Sequence, residues 1–317
     1  MNYELSRKDT MIKVFIDGSA GTTGLRIRER LSARKDIELI ILPEETRKDP
    51  AARADALNSA AVSFLCLPDA AAVEAASFVT SPDAVIIDTS TAHRVAEGWV
   101  YGMPELTGQR EKLKTAKRIA NPGCHATGFI SLIAPLVAAG LLKKDVRLSS
   151  FSLTGYSGGG KKMIAEYEAE DMDPLYQAPR QYGLGQTHKH LPEMAKLCGL
   201  DHAPVFCPVV APYYAGMEVT VPLTPAETSA SVEEIREVYR AYYRDGLIRF
   251  AEGTDENGFL SAGKFAGRDD LEVSVFGNDE RILLVSRFDN LGKGASGAAI
   301  QNMNIALGFN EAEGLVI

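Results

Sequence analysis

Apolar runs of strand length alternate with helical spacing along the first third of the chain. A strand is expected over 11–17, a helical pattern over 25–31 and a second strand over 37–42. A helix over 51–60, a strand over 62–67, a helix over 70–78 and a strand over 84–88 follow, with a further strand at 118–120. Strands and helices alternating at these lengths predict an α/β arrangement, a Rossmann-type doubly wound parallel sheet whose ligand lies at the carboxyl ends of the strands. An apolar run after Cys124 predicts a further helix. From Val146 the texture changes. Residues 147–153 alternate as a half-buried antiparallel strand does. Strands over 204–210, 216–222, 271–276 and 281–289 and a helix over 231–244 predict a second, α+β domain with a mixed sheet and helices on one face. A glycine loop over 292–297 opens an apolar helix, 298–307, placed to close back on the first domain. The expected division is a dinucleotide-binding domain over 1–122, a second domain over 123–290, and a returning C-terminal segment over 291–317. Residues 1–10 are polar, an expected loose extension, with Met11 an alternative start.

The first strand runs straight into Gly18-Ser19-Ala20-Gly21-Thr22-Thr23-Gly24. Strand, small residues and helix in that order make a variant of the dinucleotide loop, where the backbone approaches a pyrophosphate held at a helix N-terminus. No Gly-Lys-Ser/Thr follows, which excludes a Walker A phosphate loop. After the second strand, Glu44 and Glu45 suit a free ribose 2′-hydroxyl, whereas Arg47 and Lys48 suit a 2′-phosphate, and both readings stay open. Ser90, Thr91 and Arg94, after the strand that ends at Asp88, form a candidate phosphate or oxyanion grip, since arginine binds phosphate through paired hydrogen bonds. A capped loop with a surface arginine is the plainer alternative.

Asn121-Pro122-Gly123-Cys124 carries the sharpest signal. A Pro-Gly turn followed by a helix puts Cys124 in a first turn, where the helix dipole and unpaired N–H groups favour thiolate over thiol; a buried small residue closing a strand-to-helix turn is the plainer alternative. Asn121 stands beside it. The segment from Tyr182 through His188, His190 and Glu193 holds two of only five histidines, ahead of a helix with proline near its start. A histidine beside a nucleophilic cysteine can hold it as thiolate and later donate a proton. The spacing lacks the cysteine or aspartate partners of a metal site, and no metal is expected. Glycines 158–160 followed by Lys161 and Lys162 either wrap an anion or form a plain loop. The connector over 99–105 has no readable pattern.

Composition narrows the partners. The chain has 317 residues, 34 lysines and arginines against 42 aspartates and glutamates, and a net charge of −8. That excludes a global basic field for nucleic acid or anionic lipid. No apolar run reaches the ~20 residues of a membrane span. Four cysteines without CxxC spacing are expected as free thiols in a reducing, cytoplasmic setting.

Together these motifs resemble the short-type N-acetyl-γ-glutamyl-phosphate reductases of arginine biosynthesis, which are grouped with aspartate-semialdehyde dehydrogenase. The resemblance rests on the glycine loop, on Asp88–Arg94, Asn121–Cys124, Gly155–Lys161 and His188–Glu193, and runs over 12–309. It implies NADPH-dependent reduction of an acyl phosphate through a Cys124 thioacyl intermediate, with a small-molecule substrate and a homo-oligomer, dimer or tetramer. It implies His188 as general acid/base, with Tyr182 and Glu193 positioning or polarising it. Arg94, Asn121 and Ser90 are the implied substrate and phosphate contacts, and Arg47 and Ser157 join Gly18, Ser19, Ala20, Gly21, Thr22, Thr23 and Gly24 at the cofactor. His125 departs from the family, which more often has an aromatic residue there. A related acyl-phosphate reductase and a non-catalytic nucleotide-binding regulator are the alternatives.

Overall fold

The computed structural model describes residues 11–317, so the expected N-terminal extension lies outside the described residues. Its first layer begins with β1 (Ile12–Asp17), α1 (Thr22–Ser32), β2 (Ile37–Ile40), α2 (Pro50–Ser59), β3 (Val62–Leu65), α3 (Asp69–Ser77) and β4 (Val85–Asp88). The strands β5 (Val100–Tyr101) and β6 (Arg118–Ala120), joined by α4 (Gln109–Thr115), complete it. All six strands are parallel, in the order β2-β1-β3-β4-β6-β5. β3 and β4 are buried along their whole length, as parallel strands covered on both faces must be. The order reverses between β1 and β3, which opens a crevice at their carboxyl ends.

α5 (Cys124–Ala138) joins the two sheets and is buried at every position from His125 to Leu136. A helix apolar on all sides needs cover on all sides. It packs on the second sheet, on a helix of that half and on the turn before the last helix. That half contains β7 (Ser149–Gly155), α6 (Gly160–Tyr167), β8 (Arg180–Gln181), α7 (Leu191–Cys198), β9 (Val205–Ala211) and β10 (Met217–Leu223). It continues with α8 (Val232–Tyr242), β11 (Ile248–Phe250), β12 (Leu271–Asn278) and β13 (Arg281–Phe288). Its sheet is mixed, with order β11-β12-β13-β10-β7-β9-β8. The chain ends in α9 (Gly297–Leu307), whose Ala299, Ile300, Met303 and Ile305 enter the core of the first sheet with Val14, Phe64 and Ile87.

Element types agree with expectation over most of the chain, and several details differ. The connector over 99–105 contains β5, and α4 follows it, both too short to leave a period in the sequence. β7 pairs antiparallel with β10 but parallel with β9. The three glycines form no plain loop but close a helical turn and open α6, which runs from Gly160 to Tyr167. Residues Gly292–Ser296 are a π-helical turn continuous with α9, not an open loop.

Candidate active site

The β6–α5 junction is the centre of the site. Gly123 is the N-cap, without a side-chain cap, so first-turn N–H groups of α5 face outward around Cys124. A Cβ at Gly123 would overlap Arg94 Nη1 and His190 Nε2. Glycine is there because two functional side chains close over the backbone. The Cys124 thiol is free. Burial pushes it up to about 11, against the pull of the Arg94 charge and of the N–H groups of His125 and Cys124. The expected dipole effect is therefore present but outweighed, because the helix start lies inside the protein and desolvation of a thiolate costs more.

Glu193 organises this junction. Its Oε1 accepts from Arg94 Nη1 at 2.7 Å, and its Oε2 accepts from the Tyr101 hydroxyl at 2.7 Å and the Gly123 N–H at 3.2 Å. Burial raises its pKa, while Arg94 and those donors favour the carboxylate. No hydrogen bond joins it to His188, so its hold is on the Cys124 turn and not on the implied acid/base. His190 Nε2 stands 3.9 Å from Glu193 Oε1, and its buried Nδ1 has no partner among the described residues. Burial, with the Arg94 charge, holds that ring neutral, its pKa well below the usual value. His188 Nδ1 accepts the His190 N–H at 3.2 Å. A neutral His188 consequently carries its proton on Nε2, as a donor. Tyr182 also differs from expectation: its hydroxyl meets His125 Nε2 at 2.6 Å, and its ring lies edge-on to His188 at 6.0 Å.

Cys124, Arg94, Tyr182, His188 and Ser157 line one cavity of about 690 Å³ together with Gly21–Gly24. A second, of about 610 Å³, is lined by Gly18–Ala20, Arg28, Arg47, Lys48 and Arg53, and Lys161 borders both. The glycine loop thus lies between them. Gly18, at φ +86°, sits where a Cβ would overlap the Cys66 carbonyl oxygen. Ser157 is buried and accepts from Asn290 Nδ2 at 3.0 Å. Ser90 turns away: its Oγ donates to Asp88 at 2.7 Å, and Thr89 and Thr91 line the cavity instead. Asn121 lines the cavity but commits its amide to the Ala295 carbonyl at 3.0 Å and to Asn302 at 3.1 Å, so it braces the junction. Arg94 adds bonds from Nε to the Asn121 carbonyl and from Nη2 to the Thr89 carbonyl. Arg47 pairs with Glu44 at 2.6 Å on the rim of the second cavity.

A dinucleotide fits these residues. The first turn of α1 has no side-chain cap, and among the described residues the buried Thr22 Oγ1 beside it has no partner. An anion at that helix start would take both. Among the described residues no group of three His, Cys, Asp or Glu side chains forms a metal site, and no helix is long and apolar enough to cross a membrane.

Residues 124–290 match the family described as semialdehyde dehydrogenase, dimerisation domain, and residues 43–116 match semialdehyde dehydrogenase, NAD binding domain. The chain is 45% identical to N-acetyl-gamma-glutamyl-phosphate reductase 2 of Nostoc sp., over 96% of this chain and 99% of that protein. It is 45% identical to N-acetyl-gamma-glutamyl-phosphate reductase of Rhizobium leguminosarum bv. trifolii, over 93% and 98%. The chain belongs to the N-acetyl-γ-glutamyl-phosphate reductase family. The fold of this reductase family member is shared more widely. Aspartate semialdehyde dehydrogenase II from Vibrio cholerae superposes with a TM-score of 0.69 at 18% identity, covering 94% of this chain and 98% of that one. The Candida albicans aspartate semialdehyde dehydrogenase solved with NADP gives 0.66 at 17%, covering 93% and 98%.

Two reductase site residues escaped the sequence. Tyr101 lies in the connector that had no pattern, and Ser152, whose Oγ meets His125 Nδ1 at 2.6 Å, is one polar position among several on β7. Only the inward phase of Ser150, Ser152 and Thr154, polar side chains on a buried face, marks that strand as unusual.

Proposed function

We propose that the protein is the NADPH-dependent reductase that converts N-acetyl-γ-glutamyl phosphate to N-acetylglutamate 5-semialdehyde, a step of arginine biosynthesis. The observation that carries the reading is one cavity holding both a helix-start cysteine and the far end of a dinucleotide loop. Residues 1–122 and 291–317 serve as the nucleotide-binding part, and 123–290 supply the nucleophile and the oligomer contacts. Cys124 attacks the acyl carbon, forming a C–S bond as the C–O bond to phosphate breaks and phosphate leaves. Burial keeps the sulfur protonated at neutral pH, so the thiol proton leaves with the departing phosphate as hydrogen phosphate. The first-turn N–H groups of α5 face the oxygen that becomes negative in each tetrahedral intermediate. Bound NADPH supplies hydride to the thioester carbon. Collapse then releases the aldehyde and returns Cys124 as thiolate. A proton from solvent then restores the Cys124 thiol, while His188 donates a hydrogen bond through Nε2 to the reacting oxygens and Arg94 holds negative charge near the nucleophile. Arg28, Arg47, Lys48 and Lys161 around the second cavity favour a 2′-phosphate, hence NADP over NAD.

In the reverse direction, purified protein given N-acetylglutamate semialdehyde, phosphate and NADP⁺ should show phosphate-dependent growth of nicotinamide absorbance, and far less with aspartate semialdehyde. Preference for the aspartyl compound would overturn the substrate assignment.

The second sheet supports a homo-oligomer. One face packs on α5 and α8, while the other exposes Phe151 (48%) on β7, Val205 (58%) on β9 and Leu283 (42%) on β13, with β10 between β7 and β13. That face is the proposed contact with a second copy. Phe151→Asp with Leu283→Asp should turn a dimer or tetramer into a monomer by sedimentation velocity, and an unchanged sedimentation coefficient would place the interface elsewhere. The four free thiols fit a reducing compartment, and the cytosol is the proposed location.

A further inference from the structure

His125, the residue after the nucleophile, is buried between two hydroxyls. Its Nδ1 lies 2.6 Å from Ser152 Oγ and its Nε2 2.6 Å from the Tyr182 hydroxyl. Burial drives its pKa down to about 3, so the ring is neutral and one nitrogen must donate while the other accepts. The bonding of Ser152 decides which. Ser152 is fully buried, and among the described residues its hydroxyl has no partner other than His125. If Nδ1 carried the proton, the Ser152 O–H would point at nothing, a cost of roughly 1–3 kcal/mol for a buried donor. The satisfied arrangement runs one way. Ser152 O–H donates to Nδ1, Nε2–H donates to the Tyr182 oxygen, and the Tyr182 proton is left to face the cavity it shares with Cys124. The Tyr182 hydroxyl has no other hydrogen-bond partner among the described residues.

We propose that His125 is a positioning residue which, oriented by Ser152, presents the Tyr182 hydroxyl as a hydrogen-bond donor to the oxygen of the acyl group carried on Cys124. The assignment rests on the thioacyl reading above and adds a side-chain donor to the helix N–H groups. An aromatic hydrocarbon at position 125 would fill the same space and leave Tyr182 free to rotate. The donor therefore belongs to the pairing of Ser152 with His125.

Two measurements test it, one of them without substrate. Nitrogen-15 NMR of ring-labelled histidines, with His125 assigned by the signals missing in His125→Phe, should show Nε2 protonated and Nδ1 bare. A protonated Nδ1 would overturn the relay. In steady-state kinetics, Tyr182→Phe should lower kcat about ten- to a hundredfold with KM nearly unchanged, the size expected for losing one oxyanion donor of moderate strength. His125→Phe should match it, and the double variant should be no worse than either single, because the two residues act through one hydroxyl. His125→Gln, which keeps an N–H at the Nε2 position, should restore most of the loss. Wild-type kcat in His125→Phe, or multiplying losses in the double variant, would overturn the proposal. Absence of wild-type turnover with the N-acetylated semialdehyde would overturn the reaction instead, and the ring tautomer would still decide for or against the relay.

Discussion

Cys124→Ala should eliminate phosphate-dependent reduction of NADP⁺ by N-acetylglutamate semialdehyde, with kcat down by about 10⁴-fold or more, as for other residues that form the covalent bond. The loss should be confined to chemistry. Alanine suits the first turn of α5, and the Sγ atom makes no hydrogen bond that holds the junction together, since Gly123, Arg94, Glu193 and Tyr101 do that among themselves. The far-ultraviolet dichroism and the melting temperature should therefore stay close to wild type. Binding of NADPH, followed by quenching or transfer of its fluorescence, should persist too, because the glycine loop lies on a different element. Cys124→Ser is the more exacting variant. It keeps a hydroxyl nucleophile in place, yet an alcohol in a site that already lifts a thiol to about 11 is far harder to deprotonate, so its activity should fall nearly as far. Turnover that survives either substitution would remove the thioacyl intermediate from the mechanism. Loss of NADPH binding along with activity would mean that the cysteine holds the cofactor rather than the acyl group.

The first sheet was legible because its signals are local. β1, β3 and β4 are apolar runs bounded by turn residues, and the helices between them have enough turns to show a period. Cys124 was legible for the same reason: a Pro-Gly turn and an apolar helix are adjacent in the chain. Its protonation was not. The helix start argues for thiolate, and only the packed structure shows that α5 begins inside the protein, where desolvation outweighs the dipole. The partners of Glu193 were hidden by distance, since Tyr101 is 92 residues away and Arg94 is 99 away. Tyr182 misled through proximity. It precedes His188 by one short loop, which suggests a pairing, but β8 pairs with β9 and the Tyr182 N–H bonds the Pro208 carbonyl, and its hydroxyl meets His125. Residue 125 stood out only as a departure from the family. Its role required Ser152, which comes from β7, 27 residues further along the chain.

Glu193→Ala should be the most damaging single change to stability around the site. The Arg94 side chain is 8% exposed and that of Glu193 1%, so removing the carboxylate strands a buried guanidinium and leaves the Tyr101 hydroxyl and the Gly123 N–H without an acceptor. Breaking a buried pair from one side costs about 3–5 kcal/mol. In a chain of this size that corresponds to a fall in melting temperature on the order of ten degrees. Activity should fall as well, because the same carboxylate fixes the turn that aims Cys124. Glu193→Gln separates the two contributions. Its amide still offers an oxygen to Tyr101 or to Gly123 but no charge to Arg94, so it should lose less stability while kcat still drops. Arg94→Ala combined with Glu193→Ala should be more stable than the sum of the two single losses predicts, since the unpaired charge is gone, and yet should remain inactive. The coupling read from that cycle should be about 1–3 kcal/mol, the range for residues sharing one network. Additive losses would show that Glu193 acts on the Gly123 backbone alone, with Arg94 held by the Asn121 and Thr89 carbonyls that it also reaches.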